Sequence, residues 1–260
     1  MGAGHQHGHD VGEALYVHRH TTIHLLAPEV KIVALVLFMF VVVATPAEQF
    51  WAFGLYAAML IGIAAIAGLN ARIVAPRMLV EIPFVLFAVL MPFFGPDPSV
   101  RVLGVWLSVA GLWAAWGILA KATLGVLAAV ILAASTRSRD IIAGLAALRL
   151  PAVMVSITMF MLRYMHVVAD EMHRMGVARE SRGFQATGVR SWPVLGQSAG
   201  ALFIRSYERG ERVHLAMLSR GYTGTMPVLD APVTSRSQWL LGLTLPGLAL
   251  IVCLIAWATR

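Results

Sequence analysis

Apolar residues in this chain come in long unbroken runs, separated by short polar or Pro/Gly-rich intervals. Val30–Ala44 is stopped by Thr45-Pro46, and Phe50–Leu69 gives way to a loop holding Arg72 and Arg77. Leu79–Phe94 carries Pro83 and Pro92 and ends at Gly95-Pro96-Asp97-Pro98. Val100–Ala134 is apolar except for Lys121, and Trp239–Ala258, with Pro246 inside it, is the last run. Runs of about 20 apolar residues match the ~30 Å hydrocarbon core of a bilayer. No water is present there to satisfy the backbone, so each run is read as a helix. Val100–Ala134 is too long for one crossing. At 1.5 Å per residue it would extend ~52 Å, so it must tilt, project or break. Gly54, Ala58 and Gly62 recur at four-residue spacing. That is a small-residue stripe of the kind that lets helices approach closely.

Between the runs the period is helical but the faces are mixed. Ser135–Leu150, with Arg137, Arg139, Asp140 and Arg149, reads as a short surface helix ending at Pro151. Pro151–Gly183 is apolar, but Ser156, Arg163, His166, Asp170 and His173 fall on one helical face. Such a face suits a helix at the interface better than one surrounded by lipid. Arg190–Tyr222 is basic and amphipathic, and Thr223–Arg236 is a loop. The expected fold class is all-α, a polytopic helical membrane protein. Its divisions are a polar His-rich segment at 1–27, transmembrane helices at 28–134, a cytoplasmic or interfacial helical region at 135–236, and a further transmembrane helix at 237–260.

Composition agrees with that pattern. Hydrophobic residues make up 59% of the 260 and charged residues 13%, against about 25% charged in a soluble domain. A soluble enzyme, a disordered tail and a nucleic-acid module are excluded for the chain as a whole. The net charge of +7 is not spread evenly: ten of the 20 Lys and Arg lie between Arg163 and Arg236, beside six acidic residues. Cytoplasmic loops concentrate Lys and Arg. With Arg72 and Arg77 inside, four spans place Arg137 and Arg139 inside as well. If Pro151–Val168 does not cross, the whole basic region is cytoplasmic and the last span ends outside. Cys253 is the lone cysteine, which excludes a disulfide within the chain and a Cys-based metal site. No basic, apolar and cleavage-site sequence of a signal peptide stands at the start.

Candidate chemistry is sparse. No G-x-x-x-x-G-K-[ST] loop is present to hold phosphates, and no H-E-x-x-H motif. Lys121 is the main ionisable residue within a span, the usual marker of a polar pathway. Glu81 is placed at an interface beside Arg77. A cation path with no acidic residue at its centre fits a chain that does not itself bind the ion. His5, His7 and His9, followed by His18, His20 and His24, could gather imidazoles around Ni²⁺, Co²⁺ or Zn²⁺. Nothing nearby would order them, so they read as a polar tail or a weak collecting site rather than a structural metal site.

The strongest signal is a repeated helix ending. Ser181-Arg182-Gly183-Phe184 and Ser219-Arg220-Gly221-Tyr222 are both Ser-Arg-Gly-aromatic, with the arginines 38 positions apart. Gly after the last helical turn supplies a left-handed cap. Arg in that turn is favoured by the helix dipole. Its fork suits a carboxylate on a partner.

These two endings resemble the paired motifs of the transmembrane T component of energy-coupling factor (ECF) transporters. Leu26-Ala27-Pro28-Glu29-Val30-Lys31 is similar to the way that family begins its first helix, usually Leu-Asp-Pro-Arg-x-Lys. Ala27 and Glu29 depart from the pattern. Asp140–Pro151, with Leu145, Leu148 and Arg149, is similar to the family's short helix before the coupling region. The likeness runs from about residue 24 to 258 and looks closest to the cobalt-transport branch, CbiQ.

The resemblance implies a multi-pass protein of the bacterial inner membrane that is not itself an enzyme and binds no cofactor. It implies a coupling-helix region whose Ser181, Arg182 and Gly183, and Ser219, Arg220 and Gly221, dock on two ATP-binding, CbiO-like subunits, which use the ATP. The membrane helices would hold a separate substrate-binding, CbiM-like membrane subunit, among lipid and without nucleic acid. Cobalt (Co²⁺) uptake is the expected role. The alternatives are a T subunit for nickel or a vitamin, or a self-contained secondary transporter, which predicts paired broken helices at mid-membrane.

Overall fold

A computed structural model describes residues 16, 17, 19, 21–94, 99–102, 105–184, 188–224 and 234–259. The chain divides into two compact units. One comprises Leu15–Gly144 with Pro232–Arg260, and Leu145–Ala231 belongs to the other.

The first, apolar unit begins with the short α1 (Thr22–Leu25) and then α2 (Pro28–Ala44). Pro28 occupies the first turn of α2, where its missing N–H is no loss. Thr45 stops α2, with its Oγ1 donating to Val41 O at 2.9 Å and lying 2.9 Å from Tyr56 Oη. Next are α3 (Phe50–Ile66) and α4 (Ala71–Val74). A 3₁₀ stretch, Ala75–Glu81, then runs into α5 (Ile82–Phe94). The tight winding has a cause. Pro83 offers no N–H to Leu79 O, and the Ile82 N–H takes that carbonyl instead in a three-residue turn.

The 35-residue apolar run breaks. Ser99–Val102 (β1) and Val105–Ser108 (β2) form an antiparallel hairpin with Val102 opposite Val105. Only then does α6 (Val109–Ser135) start, its first turn capped by Ser108 Oγ accepting from Gly111 N at 3.2 Å. α7 (Ser138–Ala147) follows, and α10 (Arg236–Ala258) returns to this unit.

Phe38, Val42, Tyr56, Leu60, Leu124 and Val252 are among its fully or nearly buried core. Between helices in a bilayer such side chains exchange lipid for protein contacts, so close van der Waals packing rather than transfer from water holds them together. Tyr56 Oη donates to Ala249 O at 3.3 Å, so this buried hydroxyl is satisfied.

Two expectations fail here. The stripe Gly54, Ala58 and Gly62 is exposed, and a Cβ added at either glycine would meet nothing. Ala52, Tyr56, Leu60 and Ala64 carry the packing instead. They are set two residues along, about 200° round the helix. Close approaches occur at Gly111, where a Cβ would lie 2.6 Å from Met91 O, and at Gly242, where it would overlap Val30 Cγ1. Glu81, second, does not pair with Arg77. It accepts from Thr123 Oγ1 on α6, and buried Arg77 Nη1 has no partner among the described residues. The 3₁₀ winding explains this: residues four apart lie about 120° apart there, not on one face as in an α-helix.

The second unit holds α8 (Ala152–Glu180) and, after a 3₁₀ turn at Val189–Ser191, α9 (Trp192–Leu218). Among the described residues, four helical stretches are long and apolar enough to cross a bilayer: Arg72–Phe94, Val109–Ser135, Ala152–Glu180 and Arg236–Ala258. α8 is thus among them by length and composition. Its polar face is divided: Ser156 is buried, while Arg163, Asp170 and His173 are exposed. The architecture is that of a polytopic helical membrane protein.

Candidate coupling site at two helix ends

The two Arg-Gly endings adopt the same backbone. At the end of α8, Gly183 has φ +76°, Phe184 N donates to Arg179 O at 3.1 Å, and Gly183 N donates to Glu180 O at 2.9 Å. At the end of α9, Gly221 has φ +85°, Tyr222 N donates to Met217 O at 3.0 Å, and Gly221 N donates to Leu218 O at 3.0 Å. This is the Schellman pattern in both. The serines match as well: Ser181 Oγ donates to Ala178 O and Ser219 Oγ to Ala216 O, each at 3.0 Å. The sequence-derived left-handed glycine caps are therefore present.

Their side chains are presented outward. Ser181, Arg182, Gly183, Ser219, Arg220 and Gly221 are all exposed, and Phe184 and Tyr222 are half-buried. The guanidinium of neither Arg182 nor Arg220 has a hydrogen bond or ion pair among the described residues. Each therefore offers five unspent N–H donors beside a turned backbone.

α8 and α9 pack against each other in opposite directions. Glu171 on α8 meets Arg205 on α9 at 2.5 Å and Arg174 on its own helix at 2.8 Å. Earlier α8 residues, Val153, Ile157 and Phe160, face later α9 residues, Gly210, Val213 and Met217, across a cavity of about 400 Å³. Arg182 is eleven residues past Glu171 and Arg220 fifteen past Arg205. At 1.5 Å per residue the two endings lie roughly 16 and 22 Å from that crossing, on opposite sides. Sequence spacing alone did not show this. It also missed the Glu171–Arg205 pair, which lacks the i,i+4 relation that makes an ion pair legible.

The other candidates come out differently. Lys121 Nζ donates to Val43 O at 2.8 Å, capping the end of α2. His5, His7 and His9 lie outside the described residues. Among the described residues no three His, Cys, Asp or Glu gather as a metal site would require. His24 is spent on local structure, with Nδ1 2.8 Å from Thr21 Oγ1 and Nε2 3.1 Å from Val17 O.

The cobalt transport protein family CbiQ matches residues 19–229, most of the chain. The chain belongs to the CbiQ family. It is 29% identical over 158 residues to the cobalt transport protein CbiQ of Rhodobacter capsulatus, covering 61% of this chain and 62% of that protein. Two uncharacterised proteins of Methanocaldococcus jannaschii, MJ1089 and MJ1571, are 31% and 36% identical over 113 and 97 residues. These stretches cover 44% and 37% of this chain, and only 41% and 33% of those two proteins. Family membership and the crossing-length helices make this a multi-pass membrane protein of the CbiQ family.

Proposed function

We propose that this chain is the transmembrane coupling (T) subunit of an ATP-driven ECF-type importer, most simply for Co²⁺. Two ATP-binding subunits would each receive one Arg-Gly helix end. The apolar unit would hold a separate substrate-binding membrane subunit. ATP is used by the partners, and this chain contributes no catalytic residue and no cofactor site.

The observation that supports the reading is the pair of matching, outward-facing caps on oppositely directed helices. One rigid helix pair presenting the same Arg-Gly-aromatic surface at two separated ends suits two copies of one partner. Closure of those partners on ATP would press both ends at once, and α8 and α9, tied at Glu171–Arg205, would move as a unit. We place residues 170–236 in the cytoplasm, with the last helix ending outside, as the distribution of Lys and Arg favours. Labelling a cysteine introduced at Ser235 from the outer face of intact cells would refute that placement.

The functional test is purification of the intact complex with mass identification of its subunits, followed by uptake of labelled cobalt and nickel in the same vesicles. Co-purified ATP-binding and membrane partners with Co²⁺ uptake are expected. Transport by the chain alone, without ATP-binding subunits, would overturn the reading in favour of a secondary transporter.

A further inference from the structure

We infer that the first turn of α2, Pro28–Lys31, is an anchor holding both covalent links between the membrane unit and the unit that carries the Arg-Gly endings. Glu29 and Lys31 act in it as positioning residues. The inference rests on the coupling reading above and concerns how motion is delivered rather than whether it arises.

The chain leaves the membrane unit after Gly144 and returns at Pro232. Four consecutive residues of α2 hold what flanks those two points. Pro28 and Glu29 lie under Gly144, where an added Cβ would be 2.8 Å from Glu29 N and 3.0 Å from Pro28 C, so the end of α7 rests directly on this backbone. Glu29 is buried and accepts from Thr234 Oγ1, just before α10. Val30 fills the notch left by Gly242 on α10.

Lys31 is only 8% exposed. Its Nζ donates to Ser135 O at 3.0 Å, Thr136 Oγ1 at 3.2 Å and His24 O at 3.3 Å. Three protons meet three oxygens, and no carboxylate lies in ion-pair range among the described residues. Ser135 is the last residue of α6, so the ammonium sits at the negative end of a 27-residue helix. Replacing it with a group that cannot donate would strand those acceptors in the interior.

Convergence distinguishes this turn from ordinary packing. The outgoing link (α6, Thr136, α7) and the incoming link (Thr234, α10) do not depend on separate supports; both end on one turn. A displacement of Arg182 and Arg220 then reaches the membrane helices through two links with a common fixed point. With the anchor slack, the links would absorb the motion.

The test uses the assembled complex in vesicles, with ATP hydrolysis and metal uptake measured together for Lys31→Met and Thr234→Val. A second readout needs no partner: spin labels at Ala147 and Ser237, in a Cys253→Ser background, report the spread of distances between the links. Both variants are expected to assemble and hydrolyse ATP, with uptake per ATP lowered about threefold or more and the distance distribution broadened. An unchanged ratio and distribution in both variants would overturn the anchor. So would a Lys31→Met that fails to assemble together with a Thr234→Val that moves neither readout. If the wild-type chain recruits no ATP-binding subunit, the coupling reading fails, and the distance distribution alone decides whether the anchor exists.

Discussion

Among the described residues, three helices end on a glycine with the same hydrogen bonds, and two of them end on Arg-Gly. At the end of α3, Gly68 has φ +69°, Leu69 N donates to Ala64 O and Gly68 N to Ala65 O, both at 2.9 Å. The residues around it face inward: Ala67 is fully buried and Leu69 is 8% exposed. A Cβ on Gly68 would collide with the Arg19 guanidinium. The ends of α8 and α9 keep the backbone and reverse the environment, with exposed Arg before the glycine and open space around it. The cap itself is therefore only a way to stop a helix. What is special at Gly183 and Gly221 is the unspent Arg and the aromatic that the turn presents.

The largest expected effect comes from removing both arginines. Arg182→Ala with Arg220→Ala should abolish co-purification of the ATP-binding subunits and metal uptake while leaving the chain inserted. Truncating an interface Arg opposite an acidic partner costs about 2–5 kcal/mol, much of it from the stranded partner charge. Either single variant should retain part of the binding. Thermal unfolding of the isolated chain should not shift, because both side chains are exposed.

Valine at the glycines separates the two kinds of cap. A left-handed non-glycine residue costs roughly 1–2 kcal/mol. Gly68→Val adds the collision with Arg19 and should lower the melting temperature of the chain. Gly183→Val and Gly221→Val should lower melting less, since nothing packs against either glycine, yet weaken partner binding measured by titration. Equal melting losses at all three would erase the distinction. Arg182→Lys and Arg220→Lys keep charge without the fork and should restore only part of the binding lost in the alanine variants.

Smaller effects bracket the account. Arg149 sits at φ +61° after α7 and closes the same kind of turn without glycine, with Leu150 N donating to Leu145 O at 3.3 Å. Arg149→Gly should relieve that strain and stabilise by up to about 1 kcal/mol, read by thermal unfolding. A loss of coupling in that variant would show that the strained arginine has a further role. Deleting Met1–His9 should leave coupled ATP hydrolysis mostly intact. Loss of assembly on that deletion would make the segment structural.

How much was legible follows the same division between local and tertiary causes. Helix ends set by one residue were readable: Thr45-Pro46 after α2, Pro151 before α8, and the two Arg-Gly caps. The repeated motif was readable because it depends on neighbours in sequence. The break in Val100–Ala134 was foreseen as one of three outcomes, and its form, a hairpin followed by a helix capped at Ser108, was not. Close helix contacts were misplaced, because spacing identifies a stripe such as Gly54–Gly62 but not the face that meets a neighbour. Gly144 and Gly242 lack any such spacing, and the space each leaves is filled by residues far along the chain. Glu81 with Thr123, Lys31 with Ser135 and Glu171 with Arg205 are likewise long-range pairs that no period announces.

The most direct test is photocrosslinking from the aromatic that follows each glycine. A benzophenone amino acid replaces Phe184, Tyr222 or, as control, Leu69 in the complex assembled in membranes, and the adducts are identified by mass. The account predicts adducts to ATP-binding subunits from positions 184 and 222 and none from position 69. Absence of such adducts at both 184 and 222, with the complex intact, would contradict it and reduce the two Arg-Gly endings to ordinary helix stops.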